Sequence, residues 1–226
     1  MSEQLPSGGI ELSPDEIEAL HTRWSSCWTP SEVARQLAGI DTPWYVAAGW
    51  ALDLFLGRQT RAHGDLEIAI PAGTFPEVRN RFPGFVFDAA GSGRIWEDAA
   101  PEVLAAVHQT WLRDPATGNY LLDVFREPHD GETWICRRDG TIRLPYGDIV
   151  RHTADGIPYL APELVLLFKA KHVRPKDQTD FDAAVPHLTP AQRATLSGLL
   201  ARVHPGHPWI SDLSPAPSDP PDALMP

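Results

Sequence analysis

Apolar positions follow two different periods along this chain, and the change between them divides it. From Asp65 to Ile70 the pattern alternates: Leu66, Ile68 and Ile70 take one face, Asp65, Glu67 and Ala69 the other. That period of two predicts a strand. Trp44–Ala47, Gly84–Ala89, Val107–Arg113 and Tyr120–Arg126 read as further strands. Turn residues such as Ala116-Thr117-Gly118-Asn119 and Arg138-Asp139-Gly140 separate some of them. Two helix starts precede this region. Ser13-Pro14-Asp15-Glu16 and Thr29-Pro30-Ser31-Glu32 each place a capping hydroxyl, a proline at the first helical position and a glutamate three residues on. Short helices are expected over Ala51–Leu56, which Gly57 ends, and over Thr74–Arg81.

From Ala161 the pattern becomes helical throughout, over 161–173, 176–185 and 189–203, with Pro175, Pro186 and Pro190 as punctuation. The last stretch, SPAPSDPPDALMP, carries too much proline to build a core. The expected organisation is therefore N-terminal helices over 1–40, an α+β core over 41–160, a helical subdomain over 161–210 and a disordered tail over 211–226. The core should be a mixed sheet with flanking helices.

Composition narrows the picture. With 42% hydrophobic and 22% charged residues the chain is an ordinary globular protein. It has no run long enough to span a membrane and no secretory leader, so a cytoplasmic location is expected, with Cys27 and Cys136 as reduced thiols. A net charge of −11 disfavours a nucleic-acid partner and suits a cationic small molecule. Either a monomer or a homodimer fits.

The candidate chemistry lies in three acids. Asp65 and Glu67 leave one face of a strand together, a spacing that fits either a shared divalent cation or a solvated outer face. Asp123 sits in Leu121-Leu122-Asp123-Val124-Phe125. A charge inside such an apolar run needs a partner or a metal, unless it lies on an edge strand facing water or an arginine. Asp88, at the end of Phe85-Val86-Phe87-Asp88, is a rival third acid.

The segment Ala48-Gly49-Trp50-Ala51-Leu52-Asp53-Leu54-Phe55-Leu56-Gly57-Arg58-Gln59-Thr60-Arg61-Ala62-His63-Gly64-Asp65-Leu66-Glu67 adds order to these residues. It resembles the nucleotide-binding signature of the DNA polymerase β-like nucleotidyltransferase superfamily. Its nearest likeness is the branch of aminoglycoside 2″-adenylyltransferases and lincosamide nucleotidyltransferases. The resemblance implies a polymerase β-like core and a transferase requiring Mg²⁺ or Mn²⁺, with ATP or another nucleoside triphosphate as co-substrate. AMP would pass to a hydroxyl of a small acceptor, an antibiotic of the aminoglycoside kind. Asp65, Glu67 and Asp123 would hold the metal, and Asp123 would also act as base.

Ala48, Gly49, Trp50, Arg58, Thr60, Arg61 and His63 would form the nucleotide loop. Arg58 and Arg61 would meet phosphate or anchor the loop, and His63 would orient it. Lys169, Lys171 and Lys176 are candidates for the triphosphate. Leu164, Leu167, Phe168 and Lys171 share a helical stripe, so Lys171 should either meet an anion or pair with Asp177 or Asp180. Two departures stand out: Ala48 where the family commonly has glycine, and Glu67 where it has aspartate. They keep open a non-catalytic nucleotide-binding relative. A basic groove of Arg58, Arg61, Lys169, Lys171 and Lys176 would favour a toxin-like enzyme acting on tRNA or protein.

Overall fold

The computed structural model describes residues 6–213. The chain divides into two compact units between Ala161 and Pro162.

The first unit opens with a two-residue strand β1 (Ile10–Glu11) and helices α1 (Pro14–Arg23) and α2 (Pro30–Gln36). Both helices start as expected, each with a complete capping box, Ser13 with Glu16 and Thr29 with Glu32. Then come β2 (Tyr45–Val46), α3 (Ala48–Leu56), β3 (Glu67–Pro71) and a 3₁₀ turn leading into α4 (Phe75–Arg81). Strands β4 (Val86–Gly91) and β5 (Arg94–Trp96) are followed by α5 (Pro101–Ala106), β6 (Gln109–Arg113) and β7 (Tyr120–Glu127). A small antiparallel sheet follows, of β8 (His129–Asp130), β9 (Thr133–Ile135) and β10 (Arg143–Pro145). The unit ends with α6 (Tyr146–Ile149), β11 (Val150–His152) and β12 (Pro158–Leu160).

Among the described residues, nine strands form one mixed sheet in the order β1-β5-β4-β6-β7-β3-β2-β12-β11. Strands β3 and β7 run parallel at its centre, and β12 is parallel to β2. The core lies in the central strands, where Leu66, Ile68, Ile70, Leu112, Leu122 and Val124 are all fully buried. Sequence pattern missed β5, α5 and the strands after β7, because two- and three-residue strands have no measurable period. It also extended β3 backward to Asp65, whereas the ladder begins at Glu67.

The second unit is helical: α7 (Pro162–Lys169), α8 (Pro175–Ala184), α9 (Pro190–Val203) and α10 (Trp209–Asp212). Trp209 stacks on Phe181 with ring centroids 4.1 Å apart and donates to Gln178. Leu213 is buried. Residues 211–213 are thus part of the packed unit, not of a tail, because the two large rings give them something to cover. The remainder of the expected tail, 214–226, lies outside the described residues.

Helix α7 stops at Lys169, so Lys171 is not on its apolar stripe but exposed beyond its end. The pairing anticipated for Lys171 belongs to Lys169. Its ammonium lies 3.0 Å from Asp177 and 2.8 Å from Asp180, all three side chains being nearly inaccessible to water. Arg174 adds a second cation to Asp177. Burial alone would raise the Asp177 carboxyl, but its bonds to Arg174 and Lys169 outweigh it and hold the group well below the usual range. Its contribution to stability is therefore complete above the unfolded carboxyl pKa near ~4 and is lost as the pH falls below it.

Replacing Lys169 by Met removes the ammonium shared by two buried carboxylates, leaving Asp177 to Arg174. The expected cost is about 3–5 kcal/mol at neutral pH, shrinking toward pH ~4, measured by urea unfolding followed through Trp209 fluorescence.

Candidate active site

The sequence segment that carries the signature folds into a strand, a turn and a helix, and then returns to the sheet as β3. The turn is tight. Ala47 is extended and Ala48 has φ +49°, a left-handed conformation that an alanine adopts at a cost of about 1 kcal/mol. This is the physical reason a glycine suits that position in the family it resembles. The next residue, Gly49, is constrained differently. A methyl group there would collide with the Arg61 guanidinium and come within 2.7 Å of the His63 ring. Gly49 thus serves close packing against the loop. Gly57 closes α3 with φ +67°.

The loop from Gly57 to Asp65 is tied down by a residue that sequence reading left out. Asp53 is 4% exposed in the middle of α3. Its Oδ1 accepts from the Thr60 hydroxyl (2.6 Å) and the Thr60 amide (3.1 Å). Its Oδ2 lies 2.6 Å from Nε2 of His63, which must donate because a carboxylate only accepts. The His63 ring stacks on Trp50 at 4.4 Å. Thr60, His63 and Trp50 are therefore engaged in holding the loop. Arg61 Nη1 donates to the Ala62 carbonyl, and Arg58 is exposed. Asp53 was discoverable by the reasoning applied to Asp123, since it too is a lone acid in an apolar run, Ala51-Leu52-Asp53-Leu54-Phe55.

The loop delivers Asp65 to the start of β3. In the ladder Glu67 stands directly beside Asp123 of β7, Asp123 opposite Trp111 of β6, and Trp111 opposite Asp88 of β4. These four side chains form one row on one face of the sheet. The two acids of that row in dispute differ sharply. Asp88 is fully buried and satisfied: Arg113 donates to both its oxygens (2.7 and 3.1 Å), Tyr120 Oη and the Asp98 amide add further bonds. It is a structural ion pair. Asp123 is 2% exposed, accepts one bond from Gln109 (2.5 Å) on Oδ2, and its buried Oδ1 has no partner.

Burial, then the negative charge of nearby Asp65, push the Asp123 carboxyl well above its ordinary value; the Gln109 bond opposes them. An unpartnered, desolvated carboxylate oxygen beside Glu67 is what a divalent cation would satisfy, so the donor set fits a hard metal ion. Among the described residues, however, no three His, Cys, Asp or Glu side chains are gathered as a metal-binding group. The three acids occupy adjacent positions without forming an assembled coordination sphere. Asp65 precedes the first paired residue of β3, so the pleat does not set its direction.

Around the acids the face is aromatic. Trp24, from the end of α1, packs edge-on to Trp111 at 5.5 Å and against Tyr120 at 5.1 Å. On the other side, Phe125 lies under Arg137, whose Nε bonds the buried Glu127 (3.0 Å) and whose Nη1 meets His108 (2.7 Å). Burial, then the Arg137 charge, pull His108 down to about 4, so at neutral pH its ring is uncharged beside the guanidinium. Gln109, Trp111, Trp24 and Arg137 carried no signal in sequence, since their closeness to Asp123 depends on strand register. Trp96 and Trp134 are in the core. Lys169 is consumed by its two aspartates in the helical unit, and Lys171 and Lys176 are exposed there.

Two outcomes follow for the metal-free protein. Asp53→Asn turns an amide toward His63 and should cost about 2–3 kcal/mol in chemical denaturation, with a loss of His63 ring order by NMR. Asp123→Asn should stabilise. In chelator the raised Asp123 carboxyl binds its proton more tightly in the folded than in the unfolded state, so stability falls as the pH rises above the unfolded pKa of ~4. Removing the acid should raise the melting temperature by about 2–4 °C at neutral pH and leave it unchanged near pH ~4, as read by scanning calorimetry.

Residues 31–101 match the family described as aminoglycoside-2″-adenylyltransferase, a segment that holds the whole loop from Ala48 to Glu67. No curated protein shows significant sequence similarity to the chain. Among solved structures, the crystal structure of ANT(2″)-Ia in complex with adenylyl-2″-tobramycin is 18% identical, with a TM-score of 0.50 over 76% of this chain and 97% of that one. The solution structure of ANT(2″)-Ia is 17% identical, with a TM-score of 0.50 over 82% and 91%. Lincosamide adenylyltransferase LnuA with bound lincomycin is 15% identical, covering 76% and 96% with a TM-score of 0.48. No helix among the described residues is long and apolar enough to cross a membrane. The chain is thus similar to the aminoglycoside-2″-adenylyltransferase family over residues 31–101 and shares the fold of ANT(2″)-Ia.

Proposed function

We propose that this chain transfers a nucleoside monophosphate, AMP from ATP, to a hydroxyl of a small cationic acceptor resembling an aminoglycoside. One observation carries the reading. Asp123, buried in the sheet with an unpartnered oxygen, stands beside Glu67 and within electrostatic reach of Asp65. Two of these acids sit on parallel neighbouring strands, so the backbone ladder holds the pair rigidly. A Mg²⁺ or Mn²⁺ ion bound by Asp65, Glu67 and Asp123 would neutralise phosphate charge.

The chain's own residues supply the rest. Burial favours the protonated form of Asp123 in the metal-free protein, and a bound cation would favour its carboxylate, the form placed to accept a proton from the acceptor hydroxyl. Gln109 fixes its orientation through Oδ2, leaving Oδ1 free to act. The turn at Ala48 and Gly49 brings backbone close to the site, and the Asp53 knot keeps the loop before Asp65 from drifting. Half-buried Trp111, opposite Asp123 in the ladder and backed by Trp24, brings an indole ring beside the acid, which suits a cationic acceptor that carries its charge near a sugar-like body. The net charge of −11 acts in the same sense. Glu67 in place of aspartate shifts its carboxylate outward by one methylene, which the parallel register with Asp123 accommodates on a shared face.

Calorimetric titration of each nucleoside triphosphate with Mg²⁺ tests the proposal. Wild type should bind ATP in a metal-dependent way, and Asp65→Ala/Glu67→Ala should weaken it about 100-fold or more. With an accepting substrate, Asp123→Asn should lower kcat by about 10²–10⁴-fold in pyrophosphate release while nucleotide still binds. A folded wild type that binds no nucleotide with either metal would defeat the reading.

A further inference from the structure

Residue 126 lies three positions after Asp123 on β7, so its side chain leaves the opposite face of the sheet. Arg126 sits there in an otherwise apolar setting. It is 7% exposed, its guanidinium lies over the Phe75 ring at 5.1 Å, and it donates to the carbonyls of Leu104 and Val107 at the end of α5. Among the described residues no carboxylate lies within ion-pair distance of it, and its buried Nε has no hydrogen-bond partner. A guanidinium has five donors, and two carbonyls do not neutralise its charge. Burial without a counter-ion pulls this arginine down to about 10. Three other buried or half-buried cations are answered by acids: Lys169 by Asp177 and Asp180, Arg113 by Asp88, Arg137 by Glu127.

Arg126 lines a cavity of about 740 Å³ between α4 and α5. Its wall also includes Arg79 and Asn80 from α4, Phe75, Leu104 and Ala105, and it contains no acidic residue. Arg79 is half-exposed and its contact with Asp98 is long, at 4.0 Å. Two arginines, an amide and an apolar wall therefore surround a space of ligand size, on the face of the sheet that does not carry Asp123.

We propose that this cavity is a second binding site, for a small organic oxyanion in which a phosphate or carboxylate meets Arg126 and Arg79 and an apolar body rests on Phe75 and Leu104. A carboxylate or phosphate can take up N–H donors that the two carbonyls leave over, and it supplies the counter-charge that the protein omits. The site is distinct from the nucleotide face and does not depend on how that face is used.

The test is calorimetric titration with inorganic phosphate, phenyl phosphate, benzoate and phenol, in chelator to keep metal away from the carboxylates. Saturable binding of phenyl phosphate or benzoate is expected, tighter than inorganic phosphate, with phenol silent. Which of the two aromatic anions binds better identifies the head group. The Asp65→Ala/Glu67→Ala variant should bind equally well. Arg126→Met should weaken binding about tenfold or more, and Arg79→Met by less. If Arg126→Met fails to fold, Ala105→Trp, at an exposed position on the cavity wall, leaves Arg126 in place and should abolish binding by filling the space. The proposal is overturned if no probe binds saturably, if Ala105→Trp binds as wild type does, or if binding disappears with the active-site acids.

Discussion

A carboxylate inside a helix decides where the candidate chemistry can happen. Asp53 is desolvated within α3, and a charge there is tolerated only because Thr60 and His63 come back to meet it. Those bonds set the path of the ten residues that separate α3 from β3, and hence the position of Asp65. Trp50 and Gly49 complete the arrangement: one stacks on the His63 ring, the other leaves room for it. The tryptophan, the histidine and the glycine of the signature are thus mechanically linked. The order of the motif reflects one folded knot rather than several independent contacts with ligand.

The sheet does for Asp123 what the knot does for Asp65. Parallel pairing of β3 and β7 brings Glu67 and Asp123 side by side, and the next strand adds Trp111 and Gln109. The contrast with Asp88 is instructive. Two strands away in the same row, it is equally buried, yet Arg113, Tyr120 and the Asp98 amide saturate it. Identical residue types in equivalent pleat positions therefore take opposite roles, one as an ion pair of the core and one as a group with unused bonding capacity. Leaving Asp123 Oδ1 unsatisfied costs stability, and in the proposed function that oxygen is the one placed to react.

The helical unit shows the same electrostatic logic without a vacancy. Lys169, Asp177, Asp180 and Arg174 neutralise one another inside it. Arg126 is the exception on the cationic side, as Asp123 is on the anionic side. Each lies on β7, on opposite faces of one strand, and each has a buried polar atom without a hydrogen-bond partner.

Much of this was legible in the chain. Local rules determined the helix starts at Ser13 and Thr29, because a capping box needs only four consecutive residues. Alternation located the central strands, because burial on a pleated sheet imposes a period of two. The ordered segment from Ala48 to Glu67 pointed to the nucleotidyltransferase fold through its resemblance to a family signature. What sequence could not supply was pairing across distance. It extended a strand to Asp65 that the ladder begins at Glu67, and it assigned to Lys171 the partners that helix length gives to Lys169. It could not separate Asp123 from Asp88, because the two differ only in which residues the register sets against them. Nor could it see that Arg126 lacks an acid. Such properties belong to neighbours on other strands, and only the folded sheet brings those neighbours together.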